Sequence, residues 1–324
     1  MNKLNRILAA VLAVQVVLAA VVLWPRPSAS GSGEPLLPDV TPEKVVAVTI
    51  RDGAGQHITL ARSGEGWVMP EADDYPVREK TVPSLLDKIA QVKAERLVTR
   101  TANSHRRLRV AEDDYKRLIE LELDDGSVHR LYLGTSPGYN ATHVRAEGED
   151  AVYLTSALSV QDAEAEARGW VETTYLEIPK DQIIALHLEN ANGVIDLEKE
   201  GDAWALTDLA PGETLDQNKA ASLVSQAYYT TMLEPLGKEE KAEYGMGDPS
   251  AVLIVRTRDE AGAENTYTLR IGAHDAARDS YVVISSESPY YVRVGAFAVR
   301  EFVEQERSDL LEVPPATPTP EATP

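Results

Sequence analysis

Histidine is the side chain that binds metal ions most often in proteins, and the sequence contains six of them. None forms a His-x3-His or His-Glu-x-x-His pair, the spacings that put two ligands on one helix face. In the segment HDAARD, His274, Asp275 and Asp279 lie close together, which makes it the strongest metal candidate. Solvated or packed imidazoles explain the pattern better. We therefore predict neither a metal site nor a cofactor.

Acidic pairs are the second kind of residue that could do chemistry. Asp73–Asp74, Asp113–Asp114 and Asp124–Asp125 would suit the acid and base of a glycoside hydrolase. Turn formation explains these pairs better, because aspartate tolerates turn geometry and bonds its own backbone. A Gly-x-Ser-x-Gly elbow is missing, and Gly237–Lys238 lacks the upstream glycine of a phosphate loop. We predict no catalytic residues, and hence a protein that is not an enzyme.

Two Tyr-Tyr pairs are the remaining candidates, at residues 228–229 and 290–291. Neighbouring side chains of a strand point to opposite faces, so one tyrosine of each pair could be exposed at a contact surface. Core packing is the alternative. We take Tyr229, Tyr290 and Tyr291 as the candidate interface residues.

Charge and composition restrict the class of partner. The formal net charge is -20, and so acidic a surface repels phosphate backbones, which excludes nucleic acid. Hydrophobic residues make up 43% of the 324 residues, enough for a sizeable core and for two domains. The chain has no cysteine, which excludes disulfides, thiolate metal sites and a lipidated cysteine anchor.

The apolar run over residues 7–24 predicts a single transmembrane helix in the cell membrane. It would span about 27 Å, close to the roughly 30 Å core of a bilayer. Lys3 and Arg6 precede the run and an acidic chain follows, so the positive-inside rule places residues 1–6 in the cytoplasm. A cleaved signal peptide, with a small-residue site at residues 28–30, is the alternative. Both alternatives export the rest of the chain.

The exported part repeats one order of elements between a flexible linker (residues 25–43) and a disordered Pro/Thr-rich tail (residues 314–324). The order is three strands, a helix, a short strand, a hairpin, two strands and a helical segment. This indicates a tandem duplication, with repeat one at residues 44–178 and repeat two at residues 179–313. Short hairpin loops favour an α+β fold with mainly antiparallel sheets and a helix on one face of each. The paired segments are residues 45–69 and 183–207, 84–92 and 222–230, 118–134 and 253–272, and 157–171 and 296–310.

Gly134 and Gly272 end corresponding strands, and each precedes a polar loop that could cradle a ligand. The two loops, TSPGYNAT and AHDAARDS, keep their length but not their polar residues. We therefore predict that both are strand connections.

Several motifs together resemble a known bacterial family. They are a tryptophan strand in each half, an L-x-I-G strand at residues 269–272 and the turn YGMGDP at residues 244–249. With the N-terminal apolar helix, this pattern resembles domain of unknown function 4340 (DUF4340), whose turn typically reads Tyr-Gly-Leu-x-x-Pro. In the first half the corresponding stretch is LRVAEDD, at residues 108–114. The resemblance implies a membrane-anchored protein without assigned activity that often accompanies ABC-type export components.

These observations lead to one expectation and two alternatives. We expect a non-enzymatic, membrane-anchored, extracytoplasmic module that binds a protein partner or stabilises a membrane complex. ABC-type transporter subunits are the partner that the resemblance implies. The first alternative is a solute- or glycan-binding protein that uses the groove between the repeats. The second is a hydrolase of a type without a recognisable motif. The oligomeric state is not indicated.

Overall fold

The computed structural model describes residues 33–312, together with Gln15. The predicted transmembrane helix at residues 7–24, apart from Gln15, and the predicted tail at residues 314–324 therefore lie outside the described residues. Within the described part, no helix has both the length and the apolar character that a membrane span requires. The fold consists mostly of antiparallel sheets with few helices, as the sequence predicts.

The first large sheet has nine strands, and every pairing in it is antiparallel. Its strands are Val45–Asp52 (β1), His57–Ser63 (β2), Gly66–Met69 (β3), Tyr75–Pro76 (β4), Leu97–Thr99 (β5), Arg117–Leu123 (β8), Val128–Leu133 (β9), Thr142–Ala146 (β10) and Val152–Thr155 (β11). Their spatial order is β4-β3-β2-β1-β8-β9-β10-β11-β5. A small hairpin, Val110–Ala111 (β6) with Asp114–Tyr115 (β7), lies outside this sheet.

The second large sheet has eight strands and is also antiparallel throughout. Its strands are Ile183–Asn190 (β13), Gly193–Glu200 (β14), Ala203–Leu206 (β15), Glu234–Gly237 (β17), Ala251–Arg258 (β18), Glu264–Asp275 (β19), Ser280–Ser285 (β20) and Tyr291–Gly295 (β21). Their order is β15-β14-β13-β18-β19-β20-β21-β17. Thr174–Glu177 (β12) and Tyr229–Thr231 (β16) form a separate pair.

Four α-helices accompany the sheets within residues 33–312. They are Thr81–Ala90 (α1), His105–Leu108 (α2), Gln217–Ala227 (α3) and Ala296–Glu304 (α4). In α1, Val82, Leu85 and Ile89 are buried at a spacing of three and four residues, which places them on one helix face. The capping carboxylate of Asp216 accepts a hydrogen bond from Asn218 N at 2.9 Å and fixes the start of α3.

Alternating burial explains why the strands form where they do. In β1, Val48 and Ile50 have no exposed surface, whereas Arg51 is exposed. Leu186 and Leu188 repeat this pattern in β13. Most buried side chains of both sheets belong to one continuous hydrophobic cluster, and two small separate clusters lie around Tyr132 and around Tyr291. The same period of two therefore builds each sheet and joins the two sheets into one core.

The loop after Gly134 joins β9 to β10, as predicted. Gly272 does not end its strand, because β19 continues to Asp275, and only residues 276–279 connect β19 to β20. At both glycines another backbone segment passes very close. A Cβ on Gly272 would lie 2.0 Å from Tyr244 O, and one on Gly134 would lie 2.1 Å from Leu108 O. Glycine is required because any side chain would collide with a main-chain carbonyl.

The prediction of a helical segment at residues 157–171 is wrong. This stretch forms two short 3-10 turns, Val160–Asp162 and Ala167–Gly169. Ala163 and Ala165 are buried two residues apart, which is the spacing of extended chain. Arg117 Nε donates to Ala163 O at 2.7 Å, so a carbonyl that a helix would use is bound by a side chain from β8.

Candidate functional site

A groove lies where the two large sheets meet, and its volume is about 780 Å³. We call it the inter-sheet groove. The first half of the chain forms one wall, with residues 54–58 at the start of β2, residues 69–72 after β3, and residues 165–168. The second half forms the other wall, with residues 233–236 on and before β17, and with Arg293 of β21.

The inter-sheet groove has an apolar floor and a charged rim. Ile58, Met69 and Ala72 are buried in its floor, and Pro235 is buried opposite them. Leu233 stands out because it is apolar and 40% exposed. The exposed charged side chains of the rim are Glu71, Glu166, Arg168, Lys241, Glu243 and Arg278.

A group of ion pairs holds the second wall together. Glu234 accepts from Arg293 Nε at 2.8 Å and from Arg278 at 3.1 Å. Arg293 also donates to Asp275 Oδ2 at 3.2 Å, and its side chain is only 14% exposed. Glu234 and Arg293 are register partners of β17 and β21, which positions this pair. Both charge-assisted hydrogen bonds fix the position of the Glu234 carboxylate in this wall.

Direct contacts between the halves lie beside the groove, around Asp73 and Tyr290. The Asp73 carboxylate accepts from Lys238 N at 2.6 Å, and Tyr290 OH is 3.4 Å from Asp73 O. The rings of Tyr75 and Tyr290 meet edge to face with centroids 4.7 Å apart. Burial raises the pKa of the Tyr75 hydroxyl. We call Asp73, Tyr75, Lys238 and Tyr290 the seam contact.

Tyr175 holds the backbone of the seam contact in place through hydrogen bonds. The sequence did not indicate this role. Its hydroxyl donates to Tyr290 O at 2.7 Å and accepts from Ser285 N at 2.9 Å. Burial raises the pKa of Tyr175 to about 12. Thr174 and Leu176 flank Tyr175 in the sequence, and nothing there distinguishes it from other strand tyrosines.

The candidate interface tyrosines occupy three different environments. Tyr229 is 42% exposed on β16, and its hydroxyl lies 3.0 Å from Thr174 Oγ1. Tyr290 is half-buried in the seam contact. Tyr291 is 7% exposed, and its hydroxyl donates to Glu240 Oε2 at 2.8 Å. Burial, together with this bond to Glu240, raises the pKa of Tyr291.

The acidic pairs lie in turns. Asp73 and Asp74 both have positive φ, at 53° and 59°. Asp114 forms an ion pair with Arg109 at 3.0 Å. The Asp125 side chain accepts from Ser127 N at 2.8 Å, and hydrogen bonding to Ser127 lowers the pKa of Asp125. Turn formation and ion pairing thus account for these carboxylates.

In the segment HDAARD, the carboxylates are bound by arginines. Asp275 lies against Arg293, and Asp279 is 3.6 Å from Arg300. The His274 ring stacks on Tyr281 at 4.6 Å and its Nε2 is 3.6 Å from Asp279. Across residues 33–312, no three or more histidine or acidic side chains are grouped so that they could hold a metal ion.

Comparison with known proteins gives one match. The model of the domain of unknown function DUF4340 matches residues 67–246, which is more than half of the chain. The matched residues run from Trp67 on β3 to Met246 and so include the seam contact residues Asp73, Tyr75 and Lys238. No curated protein and no solved structure matches the chain. The chain belongs to the DUF4340 family.

Proposed function

We propose that this chain is a non-enzymatic, membrane-anchored, extracytoplasmic module that binds a partner protein through the inter-sheet groove. In this proposal residues 7–24 anchor the chain in the cell membrane and residues 25–32 tether two tandem α+β repeats to the anchor. The linker predicted from the sequence extends to residue 43, but Gly33 and Leu36 already bond residues 92–94 of the fold and Val40 is buried. The apolar run with preceding Lys3 and Arg6 supports the anchor and its orientation.

The strand orders of the two large sheets support the tandem duplication. Reading along the first sheet from β3 to β5 meets the strands in the same sequence as reading along the second from β15 to β17. Gly134 and Gly272 occupy corresponding positions, and each is approached closely by a main-chain carbonyl, of Leu108 and of Tyr244 respectively. Two repeats with a groove between them give the partner a concave surface built by both.

The observation that carries the binding proposal is the composition of the groove. Protein interfaces have an apolar centre and a polar rim, and the inter-sheet groove has the same arrangement. Leu233 presents an exposed apolar side chain at its wall. Glu234, the carboxylate next to it, is held in place by two arginines and adds a fixed polar group beside the apolar side chain.

The identity of the partner is proposed from the family resemblance. Members of the family often accompany ABC-type export components, so a subunit of such a transporter is the partner we propose. The chain would then be an accessory component of a membrane complex.

A photo-cross-linking experiment tests the proposal in native membranes. A photoreactive phenylalanine analogue replaces Leu233 in the full chain, and a control chain carries it at Val194, which is 47% exposed on β14. We expect Leu233 to cross-link transporter subunits and Val194 not to do so. In a second chain the photoreactive residue replaces Leu236. Adding Leu233→Glu to that chain should abolish its cross-linking to transporter subunits. Equal products from both positions, or none, would contradict the proposal.

Solute or glycan binding in the same groove is the second candidate function. The observation that favours it is the volume of about 780 Å³, within the usual range of roughly 300–1,000 Å³ for ligand sites. A ligand that binds only the folded chain raises its melting temperature. No stabilisation across a broad panel of envelope saccharides and solutes would count against this candidate.

A further inference from the structure

The first described residues show where the preceding chain leaves the fold. Residues 33–36 form backbone hydrogen bonds of 2.8–3.2 Å with residues 92–94, in antiparallel direction. Followed back toward the N-terminus, the chain therefore runs toward Arg96. Gly33 N donates to Ala94 O, and so the chain leaves the fold beside the start of β5.

β5 is an edge strand of the first sheet, and its exposed face is basic. Arg96, Val98 and Arg100 stand at alternate positions along it, so their side chains share one face. All three are exposed, Val98 at 43%. Neither arginine has an ion-pair partner within residues 33–312, whereas the nearby Lys93 lies 3.8 Å from Glu95. We call these three residues the β5 patch.

The length of the linker holds the β5 patch near the membrane. Residues 25–32 separate the proposed anchor from Gly33. They reach at most about 29 Å when fully extended, and a flexible linker of that length averages about 16 Å. Electrostatic attraction acts over roughly 8–10 Å at physiological salt, so small fluctuations of such a linker would bring the patch into range.

We propose that the β5 patch docks on anionic phospholipid headgroups and orients the exported part of the chain, a proposal that rests on the membrane anchor proposed above. The chain carries a formal net charge of -20, so an anionic surface repels most of the fold. The two unpaired arginines lie where the chain leaves for the anchor, and an arginine near an anionic bilayer favours contact about fivefold. Val98, between them, would enter the headgroup region.

The absence of cysteine allows a direct test. Val98→Cys provides one labelling site in the full chain, which is reconstituted into vesicles of phosphatidylcholine alone or mixed equally with phosphatidylglycerol. Quenching of the fluorophore by neutral acrylamide reports exposure to water. We expect protection in the anionic vesicles at low salt, and loss of that protection at high salt.

Charge-matched variants assign the effect to the patch. Arg96→Gln with Arg100→Gln should lower the ratio of docked to undocked chain about 25-fold, the product of two fivefold contributions. Arg256→Gln with Arg258→Gln, which removes the same charge from two exposed arginines on one face of β18, should leave protection unchanged. A label at Val194→Cys should be quenched equally in both vesicle types.

Three results would overturn the proposal. Equal quenching at residue 98 in both lipids would show that headgroup charge does not matter. Protection that persists without phosphatidylglycerol and grows with protein density would show that a second copy covers the patch. Release of the chain by alkaline extraction would refute the anchor and, with it, this proposal. If the chain stays in the membrane during alkaline extraction but residue 98 is not protected by anionic lipid, the docking is refuted and the anchor is not.

Discussion

Replacing Gly272 by alanine tests the reason given for Gly134 and Gly272, the two glycines that another backbone segment approaches closely. The added Cβ would lie 2.0 Å from Tyr244 O and 2.9 Å from Met246 Cε. The carbonyl belongs to the backbone, so strand and turn would have to separate by about 1.5 Å to reach an ordinary contact of roughly 3.5 Å. Overpacking of this kind costs about 1–3 kcal/mol. Separation would also weaken the hydrogen bond from Ser250 Oγ to Gly272 O, now 2.8 Å, for about 1 kcal/mol more.

We therefore expect Gly272→Ala to lower the free energy of unfolding by about 2–4 kcal/mol. Gly247→Ala is the matched control, because a Cβ there meets nothing within 4 Å and its φ is not in the left-handed region. Urea unfolding followed by tryptophan fluorescence measures both variants. At a glycine that no other backbone segment approaches, such as Gly247, alanine should be neutral or should stabilise the protein by a few tenths of a kcal/mol, because it restricts the unfolded chain. Gly272→Ala within about 0.5 kcal/mol of the control would refute the reasoning.

Three further predictions concern the seam contact and the groove wall. Tyr175→Phe removes a buried hydroxyl that bonds Tyr290 O and Ser285 N, and urea unfolding should show a loss of about 1–2 kcal/mol. Because the pKa of Tyr175 is raised to about 12 from its ordinary value of 10.0, the folded protein should lose stability as pH rises from 10 through 12, and Tyr175→Phe should flatten this loss in unfolding curves measured against pH. Arg293→Met leaves Glu234 and Asp275 without their shared partner, so we expect a loss of about 1–3 kcal/mol, with less loss when Glu234→Gln is added; an additive double mutant would contradict the pairing.

The strand pattern was predictable because it depends on local alternation. Val48 and Ile50 alternate with exposed residues in β1, and the structure buries both completely. Trp67, on the tryptophan strand of the first half, is 7% exposed, whereas its counterpart Trp204 is only partly buried. The turn at residues 124–127 connects β8 to β9 as the sequence predicts, with Gly126 at a φ of 83°. In each case the side-chain period or the turn residue acts over a few neighbours, so no distant contact is needed.

The helical prediction at residues 157–171 failed because distant groups decide that segment. Alanine-rich sequence favours a helix by propensity alone. The structure instead buries Ala163 and Ala165 side by side in extended spacing, and Trp170 Nε1 donates to Glu164 O at 2.8 Å. The side chains of Trp170 and of Arg117, which lies on β8, occupy carbonyls that helical hydrogen bonds would need. Tertiary packing therefore outweighs a propensity worth only tenths of a kcal/mol per residue.

In the candidate site, too, local sequence predicted some features and distant contacts decided the others. Alternation indicated that the members of a Tyr-Tyr pair would differ in exposure, but it could not decide which tyrosine is exposed. Tyr229 is exposed and Tyr291 is buried because of the sheet that each strand joins. Tyr175 and the Glu234–Arg293 pair were not found from the sequence, because their partners lie far along the chain.

The sequence by itself determined the antiparallel strands, most of the helices, the turns and the membership in the DUF4340 family. These features depend on periodicity and short motifs, which are local properties of the chain. Only the tertiary structure decided that Tyr244 O covers Gly272, that Asp73 meets Lys238, and that a groove forms between the sheets. Such contacts join residues that are dozens of positions or more apart, and they arise when both sheets bury their apolar faces in one core.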